Sequence, residues 1–406
     1  MARNTATRGF RYHIGLFGRR NVGKSSLVNA LTRQKVAIVS ATPGTTTDPV
    51  SKPMELQPIG PIVLIDTAGL DDTGDLGHLR TGRTRAMLDR CELALLVTDQ
   101  GHWTEDDEAL FVELRDRKLP VIVVFNQSDI ARPSHQMTHH LEGRGAVVIL
   151  TSSTRGTGLD ALRQAIIQIA QENKVDAPPL VRDLVGPGET AVLVVPIDKE
   201  APVGRIILPQ VNAIRDLLDG DSCCLVVKET QLEAALENLR TPPALVVTDS
   251  QAFAQVGTIV PEDVPMTGFS VLLSRHRGDF PLQIEGAKHI GHLKPGDRVL
   301  VSESCSHHPV EDDIGRVKLP RWINAAVGGK LHFDTIQGHD FPDDVSGYDL
   351  VILCGGCTMN RQEIRSRLMH CRRAGVAVTN YGLAIAFTHG IFARALKPFE
   401  KTNVTS

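Results

Sequence analysis

Residues 18–25 of this chain, GRRNVGKS, have the spacing G-x-x-x-x-G-K-[ST] and stand between a short apolar run and a helical pattern. Glycines in such a loop let backbone N–H groups approach phosphates closely, and the N-terminus of the following helix favours an anion. Lys24 can reach the β- and γ-phosphates, and the Ser25 hydroxyl can bind Mg²⁺. The predicted phosphate-binding residues are Gly18, Asn21, Gly23, Lys24, Ser25 and Ser26.

Two further segments could complete a magnesium and γ-phosphate site. DTAG at 66–69 ends the next apolar run, where Asp66 would hold Mg²⁺ through water and the Gly69 N–H would contact the γ-phosphate. PGTTTD at 43–48 stands between the two motifs, and Thr46, with Thr45 as the alternative, would supply a second hydroxyl to Mg²⁺. The residues predicted to take part in catalysis are Lys24, Thr46, Asp66 and Gly69.

NQSD at 126–129 follows the apolar run VIVVF and indicates a guanine site. Asp129 can accept hydrogen bonds from guanine N1–H and N2–H₂, a donor pair that adenine lacks, so the carboxylate selects GTP over ATP. Asn126 belongs to the same motif, and TSS at 151–153 would bring Ser152 and Ser153 to the guanine carbonyl.

The apolar and helical patterns predict an α/β protein of three domains. In the first, 1–172, runs that are apolar throughout alternate with helices, which indicates a mostly parallel sheet covered on both faces. A Pro- and Gly-rich segment then leads into a small α/β domain at 173–264, read as three strands and two helices and expected to form a dimer. The last domain, 265–406, is again α/β and carries four of the cysteines.

Composition excludes several classes of protein. With 406 residues, a formal net charge of −3 and 4% aromatic residues, the chain has no basic stripe for nucleic acid. No apolar run approaches the roughly 20 residues that cross a bilayer, and no signal peptide is recognisable, so a cytoplasmic location is expected. Seven cysteines are an odd number, which argues against a disulfide framework. The cysteines expected to be small core residues are Cys91, Cys223, Cys224 and Cys371.

A cluster of possible metal ligands follows two predicted strands of the last domain. Cys305 and His307 follow one of them, and Cys354 and Cys357, in CGGC, follow the other. Parallel sheets bind ligands at the carboxyl ends of their strands, and three soft ligands suit iron–sulfur or zinc. Structural zinc on these four residues, a redox-active dithiol and inert buried cysteines are the alternatives. Other candidates for a fourth ligand are His308, Glu311 and Asp312.

Over roughly residues 10–170, the nucleotide motifs resemble the Era/TrmE class of GTPases. Gln127 departs from the N-K-x-D pattern of that class, in which the Lys packs along the nucleotide. Leu70 stands where Ras-type proteins carry the Gln that orients water, and a Leu cannot do this. Asn21 matches an Asn that binds K⁺ in the TrmE group, so the resemblance implies slow hydrolysis of GTP that K⁺ accelerates.

Over essentially the whole chain, the sequence resembles the HydF family, GTPase and scaffold proteins of FeFe-hydrogenase maturation. The resemblance rests on the GTPase motifs, on C-x-H and CGGCTMNRQE, on LPQVNAIRDLLD in the middle domain and on TNYGLAIA near the end. It implies a 4Fe–4S cluster on Cys305, Cys354 and Cys357, with an exchangeable fourth site. Many members have His before the C-x-x-C, where this chain has Leu353, so any fourth protein ligand would be His307 or a carboxylate such as Glu311 or Asp312. An open site, filled by water or by a bridge to a diiron precursor, is the alternative.

The same resemblance implies partners. A homodimer would carry a diiron precursor, made with two radical-SAM maturases, and deliver it to apo FeFe-hydrogenase. The main alternative is a ribosome- or RNA-associated GTPase with a structural zinc site in its last domain, which the N-terminal motifs alone would equally fit.

Overall fold

The computed structural model describes residues 11–32, 50–66, 87–173, 178–197, 206–304 and 313–402. The chain divides into two compact units, Met1–Val175 and Asp176–Ser406. None of the helices within the described ranges is long and apolar enough to traverse a bilayer.

The first unit is built on a six-stranded sheet with the order β2-β3-β1-β4-β5-β6. Only the edge strand β2 is antiparallel to its neighbour, and all the other pairs are parallel. The mostly parallel sheet predicted from the sequence is therefore confirmed. Its strands are β1 (Tyr12–Phe17), β2 (Val50–Leu56), β3 (Gly60–Asp66), β4 (Leu93–Asp99), β5 (Val121–Asn126) and β6 (Val147–Leu150).

Helices cover both faces of this sheet because its central strands are apolar on both sides. Along β4, Leu93, Leu95 and Val97 belong to one hydrophobic core, while Ala94 and Leu96 belong to the other. The first core also contains residues of α1 and α4, and the second contains residues of α2 and α3. The described helices of this unit are α1 (Lys24–Thr32), α2 (Glu105–Asp116), α3 (His135–Gly143) and α4 (Leu159–Glu172).

The second unit contains two four-stranded parallel sheets. The first has the order β10-β9-β7-β8, so it has one strand more than the sequence predicted. Its strands are β7 (Thr190–Val194), β8 (Cys223–Val227), β9 (Leu245–Thr248) and β10 (Met266–Gly268), and its helices are α5 (Leu208–Asp219), α6 (Leu232–Glu237) and α7 (Phe253–Ile259). One compact unit holds both sheets, and the division at residue 264 stays a prediction.

The other sheet of this unit has the order β12-β11-β13-β14 and positions the cysteines. Its strands are β11 (Arg298–Glu303), β12 (His332–Gln337), β13 (Leu350–Leu353) and β14 (Ala377–Asn380), and the sequence predicted β11 and β13 as the strands that precede the cysteine motifs. The helices of this part are α8 (Phe269–Arg277), α9 (Phe280–His289), α10 (Leu319–Val327), α11 (Arg361–Arg373), α12 (Tyr381–Thr388) and α13 (Phe392–Leu396).

The described cysteines are all free, and their burial matches the sequence expectation only in part. Cys91 and Cys371 are fully buried in hydrophobic cores, as predicted. Cys223 is exposed and Cys224 is half-buried, so their assignment to the core was wrong. The physical reason is that both lie on β8, a strand at the edge of its sheet.

Candidate functional site

The phosphate loop connects β1 to α1 and passes close to two other elements. Gly18 has a φ of +138°, and a Cβ there would lie 2.1 Å from the carbonyl oxygen of Val97 on β4. Gly23 has a φ of +90°, and a Cβ there would lie 2.4 Å from Asn126 Nδ2 at the end of β5. Both positions therefore require glycine, because other residues rarely adopt such φ values and a side chain would collide with these atoms.

Lys24 begins α1 and lies buried against the loop before it, with 7% of its surface exposed. Its Nζ donates hydrogen bonds to the carbonyl oxygens of Gly18 and Arg19, each at 2.7 Å. These bonds hold the ammonium group within the loop whose backbone N–H groups would gather the phosphates.

Ser25 and Asp66 lie side by side at the ends of α1 and β3. The Ser25 Oγ donates a hydrogen bond to Asp66 Oδ2 at 2.5 Å, and Asp66 is 2% exposed. Burial raises the pKa of Asp66, and the bond from Ser25 opposes this shift. Mg²⁺ prefers oxygen ligands of this kind, so the pair fits a site in which Ser25 binds the ion and Asp66 holds its water.

Asn126 connects the phosphate loop to the loop at 151–153. Its Nδ2 donates to the Val22 carbonyl oxygen at 3.0 Å, and its Oδ1 accepts from Thr151 Oγ1 at 3.2 Å and from Ser153 Oγ at 3.0 Å. The Asn126 side chain is 1% exposed, and its hydrogen bonds join the two loops. Direct binding of Asn126 to a nucleotide base stays a prediction.

Asp129 is held in its ionised form by its neighbours. A hydrogen bond from the Ser152 hydroxyl lowers the pKa of Asp129 below its usual range, and Arg155 Nε, 3.4 Å from Oδ2, acts in the same direction. An ionised carboxylate only accepts hydrogen bonds, so Asp129 presents two acceptor oxygens. Guanine N1–H and N2–H₂ are the matching donors.

Gln127, which replaces the usual Lys of the guanine motif, contacts the phosphate loop through its amide. Its Nε2 donates to the Asn21 carbonyl oxygen at 3.4 Å, and its Oε1 accepts from Gln100 Nε2 at 2.9 Å. Asn21 is exposed and has a φ of +62°, so it stands at a turn of the loop. The Gln127 amide thus connects the phosphate loop to Gln100.

Arg19 positions the phosphate loop, a role that was not predicted from the sequence. Its guanidinium lies 3.2 Å from Asp107 Oδ2 and 2.9 Å from Asp99 Oδ1. Asp107 is 1% exposed and forms the capping box at the start of α2 with Thr104. The capping box can be read from the sequence as T-x-x-D, but its pairing with Arg19, 88 residues earlier, cannot.

Several predicted site residues lie outside the described residues. These are Thr46 and its alternative Thr45, Gly69 with the following Leu70, and the cluster candidates Cys305, His307, His308, Glu311 and Asp312. The other predicted members of the nucleotide site lie on one edge of the first sheet, at or after the carboxyl ends of β1, β3, β5 and β6.

The loop that carries Cys354 and Cys357 follows β13, which pairs with β11. Two backbone N–H groups donate to the Cys354 sulfur, that of Ser304 at 3.0 Å and that of Gly356 at 3.4 Å. The Ser304 Oγ also lies 2.7 Å from this sulfur. Cys305, the residue after Ser304, lies outside the described residues, so the approach of the two cysteine motifs at the carboxyl ends of β11 and β13 stays a prediction.

The chemistry of this loop fits a thiolate-ligated cluster. Amide N–H groups that donate to a cysteine sulfur stabilise the thiolate, and such bonds also set the potentials of iron–sulfur centres. Leu353 is 5% exposed within a hydrophobic core, so it contributes no ligand. Among the described residues, no three His, Cys, Asp or Glu side chains form a group suited to a metal ion. A cluster here would be held by Cys354, Cys357 and Cys305, and it would supply electron transfer or an anchor for a second metal centre.

Family models assign most of the chain. The hydrogen maturase F dimerization domain matches residues 180–278, and the hydrogen maturase F tetramerization domain matches residues 281–398. The two together cover more than half of the sequence. The chain belongs to the hydrogen maturase F family. A third model, the 50S ribosome-binding GTPase, matches residues 13–127, so this hydrogen maturase F family member begins with a P-loop GTPase domain.

Two curated relatives are each similar to less than half of this chain. The tRNA modification GTPase MnmE of Nitrosomonas europaea is 39% identical over 159 residues, which are 39% of this chain and 34% of that protein. MnmE of a Synechocystis species is 38% identical over 183 residues, 43% of this chain and 38% of that protein. The chain thus spans only about a third of the length of these relatives. The G domain of the T. maritima FeoB iron transporter is 30% identical, with a TM-score of 0.32, over 40% of this chain and 99% of that domain.

Proposed function

We propose that this protein hydrolyses GTP in its first domain and acts in its last domain as an iron–sulfur scaffold and carrier in the maturation of FeFe-hydrogenase. The observation that carries the proposal is the cysteine loop of a hydrogen maturase F domain, in which two backbone amides converge on the Cys354 sulfur. A nucleotide site in the same chain supplies the enzymatic activity.

In the proposed hydrolysis, the protein supplies positive charge to the phosphates and holds Mg²⁺ and the γ-phosphate in position. Lys24 and the backbone N–H groups of the phosphate loop stabilise negative charge on the phosphates, which is the main contribution of proteins to phosphoryl transfer. Ser25 and Thr46 hold Mg²⁺ directly and Asp66 holds it through water. The N–H of Gly69 meets the γ-phosphate.

Potassium should accelerate hydrolysis through Asn21. A cation beside this exposed loop residue would supply the positive charge that an arginine supplies in other GTPases. We expect GTP hydrolysis about tenfold faster in KCl than in NaCl at equal ionic strength, equivalent to roughly 1.4 kcal/mol of barrier. In Asn21→Ala the two salts should give the same slow rate, as measured by phosphate release. Equal rates in both salts for the unaltered protein would contradict the assignment.

In the proposed scaffold, Cys305, Cys354 and Cys357 hold a 4Fe–4S cluster. Its fourth site is filled by His307, by a carboxylate or by a bridge to a diiron precursor. The precursor is made with two radical-SAM maturases and passed to apo FeFe-hydrogenase. The protein works as a homodimer in the cytoplasm, and the match of residues 180–278 to the dimerization domain supports the oligomer.

Activation of apo FeFe-hydrogenase tests the scaffold proposal. The protein would be isolated anaerobically from cells that contain the two radical-SAM maturases, mixed with apo-hydrogenase, and assayed for hydrogen evolution. Cys354→Ser should activate no hydrogenase, while Cys223→Ser, which changes an exposed cysteine on another sheet, should match the unaltered protein. Equal activation by Cys354→Ser would overturn the proposal.

An RNA-associated GTPase with a structural zinc site is the alternative from a different class. The similarity to tRNA modification GTPases is its main support, and in the two relatives described above it covers 39% and 43% of this chain. The hydrogen maturase F models over the remainder of the chain favour the scaffold.

A further inference from the structure

Helix α8 lies directly beneath the cysteine loop at 354–357. A Cβ on Gly355 would lie 3.8 Å from Ser270 Oγ and 3.9 Å from Leu273 Cδ1 of this helix. Ser270 and Leu273 are three residues apart and so lie on the same side of the helix. The loop therefore packs on one face of α8 at van der Waals distance.

Arg277, the last residue of α8, continues the same face and is bonded to the loop. Its Nη1 donates to the carbonyl oxygen of Gly356, between the two cysteines, and to that of Met359 at 3.1 Å. The residue is only 2% exposed, and it is among the largest fully buried side chains described. Burial lowers the pKa of Arg277 to about 10, and the charges of Cys357 and Cys354 oppose this shift, so the guanidinium is charged at neutral pH.

The two residues before Arg277 bind a different part of the chain. Arg275, 2% exposed, forms an ion pair with Asp183, and His276 Nδ1 lies 2.8 Å from the carbonyl oxygen of Pro178. Both partners belong to the segment that precedes β7. Three consecutive residues at the end of α8 thus join this segment to the cysteine loop.

We infer that Arg277 is a positioning residue for the cluster site: it fixes the loop between Cys354 and Cys357, places a buried positive charge beside their sulfurs, and is itself held by the contacts of Arg275 and His276. A positive charge close to a cluster stabilises its reduced form, because reduction adds negative charge. The inference rests on the proposed function, since it concerns the same cluster.

The midpoint potential of the reconstituted cluster tests this role. The full-length protein would be reconstituted anaerobically with iron and sulfide, and reduction would be followed by EPR during a redox titration. Arg277→Met should shift the midpoint potential to more negative values, because the buried charge is lost. Arg277→Lys, which keeps a charge but not the forked geometry, should shift it less. Asp183→Ala should alter the EPR g-values of the reduced cluster, because it releases the end of α8.

Asp219→Asn is the control variant, since Asp219 forms its ion pair with Arg215 on α5 and not with Arg275 or Arg277. Its potential should equal that of the unaltered protein. If Arg277→Met binds iron normally and keeps the unaltered potential and g-values, the inference is overturned while the scaffold stands. If Arg277→Met fails to fold by circular dichroism, Arg277→Lys and Asp183→Ala decide: an unaltered potential in Arg277→Lys together with unaltered g-values in Asp183→Ala overturns the inference. If the unaltered protein binds no cluster, the proposed function itself fails.

Discussion

Replacing Lys24 by methionine should reduce GTP hydrolysis by about 100-fold or more while the cluster domain remains intact. The ammonium is buried in the phosphate loop and bonded to two of its carbonyl oxygens. Removal of one preorganised charge that stabilises a transition state costs on the order of 10²–10³ in rate. Methionine has a similar length without the charge, so the loss would reflect electrostatics and not packing. Phosphate release from GTP, with cluster content measured in parallel, gives the result.

Lys118→Met is the matched control, because Lys118 is an exposed lysine of the same domain. It should hydrolyse GTP at the unaltered rate. Hydrolysis by Lys24→Met within a few-fold of the unaltered rate would show that the catalytic charge comes from another residue.

Replacing Asp129 by asparagine should transfer the preference from guanine to xanthine nucleotides. The asparagine NH₂ can donate to the xanthine O2, and its amide oxygen can accept from xanthine N1–H. Guanine presents two donors, N1–H and N2–H₂, and asparagine has only one oxygen to accept from them. A buried polar group that is left without its hydrogen-bond partner weakens binding strongly, so the affinity of the variant for GTP should fall by at least about 100-fold. Affinity for xanthosine triphosphate should rise in the same variant. Competition binding with a fluorescent nucleotide measures both affinities.

The pH dependence provides an internal check on Asp129. The bond from Ser152 lowers the pKa of the carboxyl, so it stays ionised as the pH falls and loses its charge only through that lowered pKa. Guanine selectivity should therefore be constant from neutral pH down to about pH 6, well above the ordinary range of an Asp. An Asp160→Asn control alters an exposed aspartate of the same domain and should leave selectivity unchanged. Unaltered GTP affinity in Asp129→Asn would mean that another group reads the base.

The sequence predicted the central strands well because a strand that is buried on both faces of its sheet consists almost entirely of apolar residues. The elements it missed lack that pattern. Strand β2, VSKPMEL, alternates polar and apolar residues and contains Pro53, which is tolerated because β2 is an edge strand. Helix α3 has Leu141 as its only buried residue, and β10 is three residues long, so neither gives a periodic signal.

The site could be predicted only where its residues are contiguous in the chain. The phosphate loop, the guanine motif and C-x-x-C each place several chemical groups within eight residues, and their spacing identifies them. Ser304 and Arg277 act on the cysteine loop from 50 and 79 residues away. Their roles depend on the pairing of β11 with β13 and on the packing of α8. No pattern among neighbouring residues in the sequence indicates these contacts.

EPR of the reconstituted protein decides whether one chain combines a GTPase with an iron–sulfur scaffold. The protein would be reconstituted anaerobically with iron and sulfide, reduced, and compared with Cys357→Ser. We expect the low-spin signal of a reduced 4Fe–4S centre in the unaltered protein and its loss in the variant. A silent sample that retains one tightly bound zinc per chain would contradict it and leave a GTPase with a structural metal site.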